Sequence, residues 1–324
     1  MSERSEGGPS GKGAEAMSGL RFDGKVVVVT GAGRNLGREY ALLFAARGAR
    51  VLVNDLGVGI SDTDGVADAL VDPPADAVVA EIVAAGGEAV ANHDTIATPE
   101  GGRAIVDAAV DAFGTVDVVV NNAGQVRMAP FADLTEAQLD AVIDTQLRGP
   151  FNVSRPAWEI MAERGGGRFV NVSSGAAFGG VPGGAVYGMA KMGVIGLTRA
   201  MASEGREVGI AANVIAPYAK TRPGTGFGPF PASDALNEWL APRLVAPLVG
   251  WLAHEACPVS GECFSVGGGH YARVGLEVTD GLVDRDATIE SIAAHASAIL
   301  DSPATPITTT VSDNMRRMFE GFSP

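Results

Sequence analysis

The sequence predicts an α/β fold, a doubly wound parallel sheet of about seven strands with helices on both faces. Three observations carry that expectation. Short Val-rich runs alternate with Ala-rich stretches of helical length, the pattern of strand-helix-strand units. The first run, Lys25-Val-Val-Val-Val-Thr30, has four consecutive valines, which suits a strand covered on both faces. The alternation then continues unbroken, so the 324 residues read as one α/β unit although the length alone could hold two domains.

Composition narrows the function classes. A formal net charge of −14 argues against a nucleic-acid partner, which needs a basic surface. No apolar run is long enough to span a bilayer, and the start, MSERSEGGPSGKGAEAMSG, has no signal-peptide core. The two cysteines, Cys257 and Cys263, and four scattered histidines suit neither a metal site nor a disulfide framework; no metal is expected, and free thiols are.

Taken in order, residues 1–19 are Gly-, Ser- and charge-rich and are expected to be disordered. After the first strand, Gly31-Ala-Gly33-Arg34-Asn35-Leu36-Gly37 opens a helix reaching about Arg47, a strand-turn-helix junction where backbone N–H groups and the helix dipole receive a pyrophosphate. Arg50 to Asp55 reads as the second strand, and an acid at its end can accept both ribose hydroxyls of NAD while repelling the extra phosphate of NADP. The stretch from Gly57 to Pro73 contains Asp62, Asp64 and Gly65 without the spacing of a calcium loop, and reads as a mobile loop. A helix opened by Pro73-Pro74, a third strand from Glu88 to Asn92, a helix ending at Phe113 and a fourth strand from Val116 to Asn121 follow. One long helix is expected from about Thr135 to Arg164, a fifth strand from Arg168 to Ser173, a helix over 185–207 and a sixth strand from Ile210 to Ala216. The Gly- and Pro-rich segment running to about Ser233 reads as a substrate lid, and Val266 to Gly269 closes the last strand.

The chemistry concentrates in Tyr187-Gly-Met-Ala-Lys191 and Ser174. On a helix, a phenol and an ammonium four residues apart share a face, and the lysine is expected to lower the tyrosine pKa toward the working range. A serine at the mouth of the preceding strand can hold a substrate oxygen or simply cap its own loop.

The order of these motifs, with Asn121-Asn122-Ala123-Gly124 between them, resembles the short-chain dehydrogenase/reductase family over roughly residues 22–269, with its Rossmann-type sheet. TGAGRNLG resembles the family's TGxxxGxG with Asn35 in place of a glycine, a position where positive φ is expected and asparagine tolerates it. The resemblance implies that Ser174, Tyr187 and Lys191 are catalytic, and that Gln146 stands where relatives hold a relay water with asparagine. It implies further that Gly31, Gly33, Arg34, Asn35, Leu36, Gly37, Asp55, Asp94, Thr95, Asn122, Ala123, Gly124, Tyr187, Lys191 and Pro217 hold the cofactor. Arg34 is a feature of NADP-preferring relatives, whereas Asp55 favours NAD. Tyr218 replaces a glycine found beside the nicotinamide.

Within the family, VNDLG (53–57), AVANHDT (89–95), LRGPFNVSRPAWEIM (147–161) and VAPLVGWLAHE (245–255) resemble the (3R)-hydroxyacyl-CoA dehydrogenase part of type-two peroxisomal multifunctional enzymes and bacterial relatives. That resemblance implies an NAD-dependent exchange between a 3-hydroxyacyl-CoA and its 3-oxo partner by a homodimer or homotetramer. A steroid, terpenoid or other alcohol dehydrogenase is the second enzymatic reading, and a cofactor-sensing binding protein the non-enzymatic one. Phe322-Ser-Pro324 is not a peroxisomal address, so a cytoplasmic location is expected. Beyond a catalytic domain over 20–269, residues 270–324 form an extension expected to be helical and interface-forming. Its Ile289, Ile292, Ala293, Ala296, Ile299 and Leu300 recur at helical spacing, as do Met315, Met318 and Phe319.

Overall fold

The four valines of the first strand alternate between two hydrophobic layers, and the rest of the architecture follows from that. The computed structural model describes residues 19–57, 73–219 and 238–307. In strand β1 (Val26–Thr30), Val27 and Val29 belong to one core cluster and Val26 and Val28 to the other. All four are fully buried, each worth on the order of 1.5–3 kcal/mol.

Helices α1 (Asn35–Ala46) and α2 (Pro74–Ala84) cover the first face through Tyr40, Phe44, Val78 and Ile82. Helix α3 (Pro99–Phe113) supplies Ile105 and Val106 to the second face. Strands β2 (Arg50–Asn54), β3 (Glu88–Asn92), β4 (Val118–Asn121), β5 (Gly167–Val172), β6 (Ile210–Pro217) and β7 (Cys263–Gly267) run parallel with β1. With β8 (His270–Val274) they form an eight-stranded sheet ordered β3-β2-β1-β4-β5-β6-β7-β8.

The strand count differs from the expected seven because Gly268 and Gly269 both have positive φ (60° and 75°). Two such residues make a hairpin turn, so the chain doubles back at Gly269 and β8 pairs antiparallel with β7, Gly267 opposite His270.

The long helix expected over 135–164 is interrupted. Thr135 starts α4 (Glu136–Ile143) with a capping box closed by Gln138. A π-helical turn over Asp144–Arg148 follows, and α5 (Gly149–Glu163) completes the run. Helix α6 (Ala185–Gly205) and helix α7 (Ala246–Ala253) cover the remaining strands.

Past the sheet, β9 (Glu277–Thr279) and β10 (Ala304–Pro306) pair antiparallel around helices α8 (Ile289–Ala294) and α9 (Ala296–Leu300). The extension is therefore mixed rather than purely helical, and it leaves Ile289 85% and Leu300 72% exposed. The N-terminal segment 1–18, most of the expected mobile loop, the expected lid from residue 220 on, and Met315, Met318 and Phe319 lie outside the described residues. Both cysteines are free and buried. Among the described residues no helix is long and apolar enough to cross a membrane, and no cluster of His, Cys, Asp or Glu could hold a metal ion.

Candidate active site

In a parallel sheet with helices on both faces, ligands gather where strands end at their carboxyl edge. There the structure assembles the glycine turn after β1, the Asn122–Gly124 turn after β4, Ser174 after β5 and Pro217 at the end of β6.

The glycine turn is tied to the turn after β4 by Thr30 and Asn122. Thr30 Oγ1 accepts from the backbone N–H of Asn122 and of Ala123, each at 3.1 Å, while Asn122 Nδ2 donates to the carbonyls of Thr30 at 3.0 Å and Gly31 at 3.1 Å. A Cβ at Gly37 would come within 2.7 Å of Asn122 Nδ2, so this close packing requires glycine. Asn35 has φ 47°, the left-handed conformation expected of it.

Helix α1 then starts at Arg34 with neither a side-chain cap nor an acid in its first turn. An uncapped helix start behind a glycine turn is suited to an anionic group such as a dinucleotide pyrophosphate. Arg34 itself is only partly buried.

Asp55 lies just past β2, its carboxylate accepting from Gly33 N–H at 3.1 Å and Gly57 N–H at 3.0 Å. These bonds fix the acid beside the glycine turn. Asp94 is tied in by Asn92 Nδ2 at 2.7 Å, and its carbonyl accepts from Asn54 Nδ2 at 2.9 Å. Thr95 turns its hydroxyl to the N–H of Ala97 at 3.1 Å, the role of a local cap. The Asn54–Asn92 pair, 2.8 Å apart and buried, was not singled out in the sequence; two asparagines closing adjacent strands are its only signal.

Ser174, Tyr187 and Lys191 come together. The Ser174 hydroxyl hydrogen-bonds the Tyr187 phenol and also accepts the N–H of Ala176 at 3.2 Å, so it is a loop cap as well as a partner of the tyrosine. Lys191 is 4% exposed, donates from Nζ to the Val172 carbonyl at 2.6 Å, and lies 5.8 Å from the centre of the Tyr187 ring. Ser173 Oγ anchors the same helix by donating to the Lys191 carbonyl at 2.7 Å.

The expected fall in the tyrosine pKa is corrected. Burial raises the Tyr187 pKa, and the Ser174 hydrogen bond only partly opposes it. Burial likewise lowers Lys191 to about 7, so the ammonium is too weakly held near neutrality to pull the phenol down.

Gln146 sits in the π-helical turn, 4% exposed. Its Nε2 donates to the Gln125 carbonyl at 2.7 Å, while Oε1 is buried without a hydrogen-bond partner among the described residues. The amide fills the space over Gly124, where a Cβ would meet Nε2 at 2.6 Å. π-helical turns recur at functional sites because they re-aim one side chain.

A buried chain of polar groups lies behind these residues. Asn121 Nδ2 donates to Ser154 Oγ at 2.9 Å and to Asn171 Oδ1 at 2.8 Å, and Asn171 Nδ2 donates to Thr198 Oγ1 at 2.9 Å. It ties α5, which continues from the Gln146 turn, to α6, which carries Tyr187 and Lys191.

A chain with this sheet and this placement of Ser, Tyr and Lys belongs to the short-chain dehydrogenase family, whose model matches residues 25–223. The members of that family are oxidoreductases that act on CH–OH groups with a nicotinamide cofactor. Over 268 residues it is 45% identical to the peroxisomal multifunctional enzyme type 2 of Mus musculus, covering 83% of this chain and 35% of that enzyme. The chain thus spans about a third of that relative's length. It is 35% identical over 250 residues to a 3-oxoacyl-[acyl-carrier-protein] reductase of Synechocystis, covering 76% of this chain and 96% of the reductase. The crystal structure of a short chain dehydrogenase from Mycobacterium avium superposes with a TM-score of 0.74 at 37% identity, covering 88% of this chain and 98% of that one.

Proposed function

We propose that the protein is an NAD-dependent dehydrogenase interconverting a secondary alcohol and a ketone, with a 3-hydroxyacyl-CoA and its 3-oxo partner as the favoured pair. The observation that carries the chemistry is the Ser174–Tyr187 hydrogen bond set beside the buried Lys191. The 3-oxoacyl group in the name of the Synechocystis reductase, and the resemblance to the multifunctional enzymes, support the substrate class.

Gly31, Gly33, Arg34, Asn35, Leu36 and Gly37 would hold the pyrophosphate at the start of α1. Asp55 would take the adenosine ribose, Asp94 and Thr95 the adenine side, and Asn122, Ala123, Gly124 and Pro217 the nicotinamide half. When bound, the nicotinamide would supply the hydride acceptor for alcohol oxidation and, in its reduced form, the hydride donor for ketone reduction.

Ser174 holds the substrate oxygen by its hydroxyl, and the Tyr187 phenol moves the proton. Protonated Tyr187, favoured by burial, is ready to donate to a ketone oxygen; a phenolate, which a nearby protonated lysine would stabilise, accepts the proton of an alcohol. Lys191 would serve both directions by stabilising the phenolate and would bind ribose.

The test is a screen of 3-hydroxyacyl-CoA thioesters of graded chain length beside sterol, terpenoid and simple secondary alcohols, following the absorbance of the reduced nicotinamide. Efficient turnover confined to alcohols without a thioester would overturn the acyl-CoA assignment.

A further inference from the structure

Strands β5 and β6 leave the sheet side by side, since the Ser173 N–H donates to the Ile215 carbonyl at 2.6 Å. Ser174-Gly175 and Pro217-Tyr218 are consequently neighbours at the sheet's carboxyl edge. Tyr218 directly follows Pro217 at the end of β6, and the chain accommodates it twice. Its N–H donates to the Val266 carbonyl at 2.7 Å, and Gly267 leaves room for its Cβ, which a Cβ at Gly267 would meet at 2.8 Å. The far end of the ring reaches Gly175, where a Cβ would come within 2.8 Å of the phenol Cζ. Gly175 directly follows Ser174, one Cα step of about 3.8 Å away.

The side chain is 51% exposed, so this aromatic residue adds little to the core. Its hydroxyl has no hydrogen-bond partner among the described residues. An anchored phenol whose donor no described residue takes up thus stands against Gly175, the residue that follows the serine that meets Tyr187.

The substrate class proposed above carries a thioester carbonyl separated from the carbinol carbon by a single methylene. Ser174 and Tyr187 are committed to the reacting oxygen, so the second oxygen needs a donor of its own. We infer that Tyr218 is a specificity-determining residue whose phenol hydroxyl donates to that second carbonyl oxygen, a reading that rests on the proposed substrate class. It selects alcohols with a carbonyl two carbons from the reacting centre over alcohols without one.

Tyr218→Phe removes the donor and keeps the ring against Gly175. The wild type and this variant are to be compared on a 3-hydroxyacyl-CoA, the matching 3-hydroxy ester and a 2-alkanol of equal chain length. The expected result is a loss of about tenfold in kcat/KM on the thioester and the ester, carried by KM, the scale of one neutral hydrogen bond. The 2-alkanol and the KM for NAD should change less than about twofold, because no second carbonyl is present to lose its donor.

Equal losses on all three substrates, no loss on any, or a raised KM for NAD would overturn the assignment of Tyr218. A wild type that prefers the ester to the thioester would defeat the acyl-CoA reading and leave Tyr218 in place. A wild type confined to 2-alkanols would overturn both.

Discussion

Lys191 Nζ lies 2.6 Å from the Val172 carbonyl oxygen, so the amine that faces Tyr187 is also tethered to the strand that positions Ser174. Burial lowers this lysine from an ordinary 10.5 to about 7. A base depressed on folding binds fewer protons in the folded than in the unfolded state between those two values, so stability rises with pH across that window. Above about pH 9 the rise is offset and then reversed, because Cys263, pushed up to about 12, and Tyr40 and Tyr187, both raised by burial, keep protons that the unfolded chain releases. The cofactor-free protein should therefore gain thermal stability from about pH 7 to 8.5, with a slope approaching ~1.4 kcal/mol per unit for one proton. Lys191→Met should flatten that rise in melting curves; parallel curves for the two proteins would contradict the lysine's depressed pKa.

Tyr187→Phe removes the group that moves the proton and little volume. Turnover should fall about 10²–10⁴-fold, the scale of general acid-base catalysis, with NADH binding by fluorescence nearly unchanged. A variant retaining most of its activity would place the proton carrier elsewhere.

Gln146→Ala deletes both the bond to Gln125 and the unpartnered Oε1. If the amide serves proton relay, kcat should drop about tenfold and the pH profile should shift, beyond any loss of melting temperature. An unchanged rate would assign Gln146 to filling the space over Gly124.

Asp55 should set a preference for NAD over NADP of about 10–100-fold, the worth of charge-assisted hydrogen bonds to ribose. Asp55→Ala should erase most of that ratio in kcat/KM. Equal efficiencies with both cofactors in the wild type would sink the assignment.

Truncation after Val274 removes the β9–β10 pair and the two short helices with exposed Ile289 and Leu300. Helices of this length are not stable alone, so their apolar faces need cover. The truncated protein should stay folded and bind NAD, yet associate more weakly and lose much of its kcat/KM. Light scattering with kinetics decides it: an unaltered mass and rate would make the extension dispensable.

The sheet and the Ser174, Tyr187 and Lys191 trio were legible because each rests on local pattern: four valines in a row, a glycine turn, and a four-residue helical repeat. Asn35 could be read as a positive-φ residue for the same reason. The π-helical turn was not legible, since residues 135–164 keep helical composition throughout and the extra residue is set by packing over Gly124. Strand β8 escaped notice because His270–Val274 becomes a strand only by pairing with β7. The Tyr187 pKa was misread because residue spacing reports a neighbouring charge but not the burial that weakens it.

The Thr30 hydroxyl joins the glycine turn to backbone groups 92 and 93 residues further along the chain. In kinetic terms, the cofactor cleft is a high-contact-order feature, closed by pairings whose loop entropy must be overcome before they are rewarded. A growing chain that has completed β1 and α1 already carries every residue of the glycine turn but none of the N–H groups that lock it. The cleft is therefore complete only once β4 has docked beside β1, which makes it a late product of folding rather than a template for it.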